Sequence, residues 1–174
     1  MQAKAPRMRP VTEAEAAAIA RFARSIGVGP ESVAVNPYVL EVPGASYMDV
    51  FDVPRPLERL LPEVGAMYSA GYYVGSIEGE EFRPGLPLAH RLARLCGLGL
   101  RCIVLDVKGS MAFLYGNEVQ EDHVLRFSEG LAVVVDPYGE ALGWGVGRKV
   151  RLKTKTQALV EPVKDLGWYL RRGG

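Results

Sequence analysis

Gly143, Gly145 and Gly147 alternate with Leu142, Trp144 and Val146 in the second half of the chain. Strict alternation is a strand signal, and glycine inside a strand permits the sharp bending that closes a small barrel. Just upstream, Val133, Val134 and Val135 form a β-branched run that ends in the turn residues Asp136, Pro137 and Gly139. Earlier still, Ser110–Val119 carries the apolar Ala112, Phe113 and Leu114 into Tyr115-Gly116-Asn117, where Gly116 suits a left-handed or closely approached backbone. Together these stretches predict a small barrel rich in strands.

The 174 residues suffice for one medium domain or two small ones, and a hydrophobic share of 48% can fill one or two cores. The formal net charge of +1 hides an uneven distribution. From Gly147 onward, eight basic residues (Arg148, Lys149, Arg151, Lys153, Lys155, Lys164, Arg171 and Arg172) face only Glu161 and Asp165, a net of +6. From Ser25 to Glu81, nine acids face only Arg55 and Arg59, a net of −7. An acidic domain followed by a basic, polyanion-facing end is the expectation. No apolar run approaches the roughly 18–20 residues of a membrane span. Met1–Arg9 lacks the apolar core of a signal peptide, so no membrane partner is expected. The spacing of Cys96 and Cys102 suits neither a zinc pair nor a redox pair, and the two read as buried, reduced thiols.

Along the chain, Thr12 and Glu15 form a capping box, and the apolar Ile19, Phe22, Ala23 and Ile26 mark a helical face that Gly27 ends. Tyr38–Val42 and Tyr47–Val53 read as a hairpin around Pro43-Gly44-Ala45. Leu57–Val64 has helical spacing, with Pro62 as its weak point. Gly71–Ile77 is a strand, Gly79–Pro87 a broken polar loop, and Leu88–Cys96 a helix with Leu88, Leu92 and Leu95 on one side. Gly97-Leu98-Gly99 is the linker expected between domains 1–97 and 98–174. Beyond it the pattern predicts a strand at Arg101–Asp106 and either helix or strand at Ser110–Tyr115. Strands follow near Val124–Phe127, Leu131–Asp136, Ala141–Val146, Val150–Lys155 and Ala158–Val163, and a short helix at Asp165–Arg172 closes the chain. The fold class is α+β: an N-terminal α/β domain with an antiparallel sheet, then a small β pseudo-barrel.

Among candidate functional residues, alternation places Lys149, Arg151, Lys153 and Lys155 on one strand face and Val150 and Leu152 on the other. Aligned like charges repel unless an anion lies across them, and a phosphate backbone does that. A solvated edge strand protected by lysine is the competing reading. Tyr115, Tyr138, Trp144 and Tyr169 could stack on unpaired bases, though each singly reads as core. Gly143–Gly147 lacks the following helix and downstream acid of a dinucleotide site. His90 and His123 have no neighbouring ligand set, so no metal is expected, and no cofactor motif is present. Asp106 and Asp136 end strands and suit capping or turn roles. No catalytic constellation stands out, and the chain reads as non-enzymatic.

Several stretches carry a resemblance. Met8-Arg9-Pro10-Val11-Thr12-Glu13, Tyr68-Ser69-Ala70-Gly71 with Gly75, Phe113-Leu114-Tyr115-Gly116-Asn117, Leu142–Val146 and Lys164–Arg171 run the length of the chain in order. They resemble the Nip-type large-subunit ribosome biogenesis factors of archaea and eukaryotes. That resemblance implies an α/β N-terminal domain and a C-terminal PUA domain that binds pre-ribosomal RNA. It implies partner proteins on the N-terminal domain, no catalysis, and a cytoplasmic location in an archaeon or a nucleolar one in a eukaryote. RNA-binding archaeal relatives carry basic residues on and beside the last barrel strand. Here Gln157–Val163 is mostly neutral with Glu161 acidic, and of that patch Lys164 remains. The RNA path therefore follows either the run Arg148–Lys155 or the last strand, and the expected contacts are Arg148, Lys149, Arg151, Lys153, Lys155 and Lys164. The alternative function is a protein-interaction adaptor of an RNA-processing machine such as the exosome.

Overall fold

The computed structural model describes residues 5–64, 67–151, 153 and 155–167. Contacts divide the chain into two compact units, Met1–Leu88 and Ala89–Gly174. This division falls inside the helix Leu86–Ala93, upstream of the Gly97-Leu98-Gly99 stretch.

The first unit is a five-stranded antiparallel sheet whose strands lie side by side in chain order. They are β1 (Arg7–Pro10), β2 (Pro37–Glu41), β3 (Tyr47–Asp52), β4 (Tyr72–Glu78) and β5 (Glu81–Pro84). Helix α1 (Glu13–Ser25) connects β1 to the short α2 (Pro30–Val33). The predicted capping box is formed, with Thr12 Oγ1 accepting from the Glu15 amide and Glu15 Oε2 accepting from the Thr12 amide. At the other end the amides of Gly27 and Val28 reach back to the carbonyls of Arg24 and Ala23, the paired bonds of a Schellman stop. Register places Val39, Val50, Ile77 and Phe82 on one sheet face. Phe22 of α1 packs there on Phe82, ring centroids 4.9 Å apart. The opposite face carries Tyr38, Leu40, Phe51 and Val53, covered by Leu57, Leu61 and Met67. The helix expected over Leu57–Val64 is broken at its proline. It survives as α3 (Arg55–Glu58) and a 3₁₀ turn at Leu61–Glu63. The loop expected over Gly79–Pro87 instead contains β5, because Glu78 pairs with Glu81 across the two-residue turn Gly79-Glu80. Helix α4 (Leu86–Ala93) follows, with Leu88 and Leu92 buried.

The second unit is a six-stranded sheet ordered β7-β11-β10-β9-β6-β8. The strands are β6 (Cys102–Leu105), β7 (Val119–Gln120), β8 (Val124–Arg126), β9 (Gly130–Val135), β10 (Ala141–Arg151) and β11 (Thr156–Asp165). All neighbours are antiparallel except β6 and β9. The two outermost strands, β7 and β8, are joined by only the 3₁₀ turn Glu121–His123. Three residues span at most about 10 Å, so the sheet curls until its edges nearly meet. The result is the predicted pseudo-barrel. Its interior holds Ile103, Leu105, Phe113, Val119, Ala132, Val134, Leu142 and Val160. Helix α5 (Val107–Leu114) supplies Phe113 and settles the helix-or-strand choice at Ser110–Tyr115. Its start is fixed by Asp106, whose Oδ1 accepts from the Gly109 amide at 2.6 Å. Its end is fixed by Gly116 at φ 79°, with Gly116 and Asn117 amides donating to Phe113 and Ala112.

Two sequence expectations are corrected here. Ala141–Val146 and the start of Val150–Lys155 form one continuous strand, β10, because pairing with β11 runs unbroken from Gly145 to Arg151. Asp165 ends β11 rather than starting a helix; from 168 onward the expected helix lies outside the described residues. A third correction concerns the thiols. Cys96 and Cys102 are joined in a disulfide, Cα atoms 5.6 Å apart. The positive-φ residues Gly97 and Gly99 fold the chain back so that Cys96 bridges Leu100, which brings the two sulfurs together.

Candidate nucleic-acid interface

The orientation of β10 beyond its irregularity at Ala141–Gly143 follows from Gly145. A Cβ there would lie 2.8 Å from Val134 Cγ2 and 3.0 Å from Phe113 Cε2, both inside the barrel. Gly145, Gly147, Lys149 and Arg151 therefore share the interior-facing side, and Trp144, Val146 and Arg148 face outward. Gly147 packs still closer: its Cβ would stand 2.0 Å from the Ser128 carbonyl oxygen. Glycine at 145 and 147 lets the hairpin sink onto the core. Past Gly147 the same side opens to solvent, and Lys149 and Arg151 stand exposed at the barrel mouth.

The strand ends at Arg151, so alternation carries only Lys149 and Arg151 on one face. Lys153 and Lys155 lie exposed in the short connection to β11, and Leu152 and Thr154 are outside the described residues. Lys155 directly precedes Thr156, the cross-strand partner of Arg151. Among the described residues, none of Lys149, Arg151, Lys153 and Lys155 pairs with a carboxylate.

Arg148 is placed differently. It faces outward and forms ion pairs with Glu161 and, at 3.6 Å, with Glu118. Lys164 pairs in register with Trp144 and lies on that same outward side. The six expected contacts thus split: two on the outer face, one of them neutralised, and four around the mouth.

The candidate stacking residues split as well. Trp144 is fully buried on the outer face, as core. Tyr115 and Tyr138 are exposed, 63% and 84%, so the core reading fails for both; Tyr169 lies outside the described residues. Asp136 plays its expected turn role, accepting from the Tyr138 and Glu140 amides at 2.8 and 2.9 Å. Asp106 caps α5 and also meets His123 Nδ1 at 2.9 Å. The Gly109 amide first, and His123 second, hold its carboxyl below the usual aspartate range. That contact gives His123 a structural partner the sequence did not reveal.

Opposite Lys149, β8 and the turn before it add a lining no motif marked. Glu121, Val124, Leu125 and Phe127 close a cleft of about 450 Å³ against Lys149, Thr156 and Ala158. Its two walls are far apart in sequence, and only the register Lys149↔Ala158 and barrel closure bring them together. Leu125, a large apolar residue in the short strand β8, is 64% exposed there.

One family profile, described as "UPF0113 PUA domain", matches residues 101–174. A "UPF0113 protein" of Aeropyrum pernix is 42% identical over 173 residues, covering 97% of this chain and 94% of that protein. A crystal structure of a hypothetical protein from the hyperthermophilic archaeon Pyrococcus horikoshii OT3 aligns with a TM-score of 0.57 at 14% identity, covering 94% of this chain and 99% of that one. The last is a likeness of fold. A PUA domain implies RNA binding, in keeping with the cationic mouth of the barrel. The chain belongs to the UPF0113 family, with that family's PUA domain as its C-terminal barrel.

Proposed function

We propose that this protein is a non-catalytic RNA-binding factor of large ribosomal subunit assembly, of the Nip type. Its PUA domain holds pre-ribosomal RNA, and its acidic first unit docks other assembly proteins. The observation that carries the reading is the group Lys149, Arg151, Lys153 and Lys155: four exposed cations without carboxylate partners among the described residues, at one end of one hairpin. Like charges so placed are favourable when a phosphate chain replaces their counterions. Arg148 and Lys164 supplement this path from the outer face, and Arg148 contributes less because Glu118 and Glu161 already hold it.

The test is binding of a single-stranded ribosomal RNA fragment as salt is varied. Four phosphate contacts on a single strand give a log–log slope near −3, so affinity falls about 50-fold between roughly 50 and 200 mM salt. Replacing all four residues with alanine is expected to abolish most of that slope. Unchanged affinity and slope would reject this site.

A second reading, an adaptor for an RNA-processing machine such as the exosome, is favoured by the nine acids between Ser25 and Glu81. Filter binding of the purified chain separates the two, since an adaptor retains little RNA of its own.

A further inference from the structure

The mouth of the barrel offers more than charge. Phe127 is partly buried and packs its inner side on the barrel core, while it also lines the cleft with Val124, Leu125 and Ala158. Lys149 stands on the opposite wall. A volume of about 450 Å³ falls in the range of small-ligand sites, roughly 300–1,000 Å³. Glu121 also lines this cleft, and its carboxylate repels a phosphate while accepting hydrogen bonds from N–H groups. An apolar, partly aromatic floor, an acceptor on the wall and cations at the rim match one chemical object: a flat heterocycle with N–H groups, attached to a phosphate chain. A sugar phosphate alone would leave Leu125 and Phe127 unused.

We infer that this cleft is a pocket for a single unpaired nucleobase of single-stranded RNA. The base lies against Phe127 and Leu125 with its edge toward Glu121, and its phosphates run over Lys149 and Arg151 toward Lys153 and Lys155. A base held in a duplex cannot enter, because its edge is paired and its faces are stacked. The inference rests on the RNA-binding reading above and adds to it the group that enters the fold.

Two probes of equal length and charge test it on the full chain. One is a fluorescein-labelled ten-nucleotide RNA of mixed A and U. The other is ten abasic tetrahydrofuran phosphates with the same label. The pocket predicts that the RNA binds about tenfold tighter than the abasic chain, at the same salt slope. Leu125→Ser, at an exposed position and without new charge, and Phe127→Leu, which stays apolar but removes the ring, should each bring RNA affinity down to the abasic level. Neither should alter abasic binding, and unchanged thermal unfolding midpoints would show both variants folded. Equal affinity for the two probes would overturn the pocket while leaving phosphate binding intact. So would tighter RNA binding that both variants preserve, because the bases would then be read elsewhere. Failure to bind either probe would overturn the RNA reading together with the pocket.

Discussion

Glu15 serves two structures at once. Its carboxylate closes the capping box of α1 and receives Arg9 through two bonds of 2.8 Å, while Arg9 Nε reaches Glu41 at 2.7 Å. One arginine thus ties β1 to the neighbouring strand β2 and to the helix that follows. Arg9 foremost, then the Thr12 amide against the opposing cost of burial, holds the Glu15 carboxyl near 2 instead of its usual 4.5. The folded value is the lower one, so the unfolded chain takes up the proton first. The stabilisation is full above about pH 4.5 and vanishes as the pH falls toward 2. Asp106 acts in the same direction, its contribution disappearing only below the usual aspartate range. Glu15→Gln should cost about 1–2 kcal/mol at neutral pH. In urea titrations between pH 5 and 2 the variant's stability should fall less than that of the parent; parallel curves would show that another acid controls the acid limb. Glycines divide by the same close inspection. Gly147→Ala forces a Cβ onto the Ser128 carbonyl and should cost about 2–4 kcal/mol. Gly139→Ala, with open space around it but φ at +89°, should cost about 1 kcal/mol. Equal midpoints for the two in thermal unfolding would refute the close-approach account.

At the scale of the element, the disulfide is the clearest prediction. The bond Cys96–Cys102 anchors the segment after α4 to the first strand of the barrel. Closing so short a loop stabilises by about 2 kcal/mol in the chain-entropy treatment. Dithiothreitol, or Cys96→Ser, should lower the unfolding midpoint by roughly 4–8 °C. An unchanged midpoint would mean the thiols are free in solution. Legibility also differed element by element. The capping box of α1 and the β2–β3 hairpin were readable because each is set by neighbours in sequence. The disulfide was not, since it depends on Gly97 and Gly99 reversing the chain, a matter of dihedral angles rather than spacing. Strand β10 read as two pieces because Gly147 and Arg148 interrupt its apolar pattern, although the ladder to β11 passes straight through. The basic run read as one face for the converse reason: alternation is visible in sequence, but the end of the strand at Arg151 is not.

Across the whole molecule, the charge asymmetry was legible from the start, and the acidic and basic blocks lie in different compact units. What only the folded chain reveals is which cations remain available. Arg148→Ala removes a charge already matched by Glu118 and Glu161, so it should leave the salt slope of RNA binding nearly unchanged. Lys149→Ala should reduce that slope by about 0.7. Equal effects of the two substitutions would show that the outer face takes part in full. The cleft was beyond any local reading, since its walls are β8 on one side and the β10–β11 hairpin on the other.

The joining of the two outermost barrel strands by Glu121–His123 bears on how this chain could be cut and rejoined. A circular permutant opened within that turn would release the seam and present two raw strand borders to other molecules, a route to aggregation. Opening it instead at Tyr138-Gly139, where the chain merely rounds an exposed corner, would leave the seam sewn.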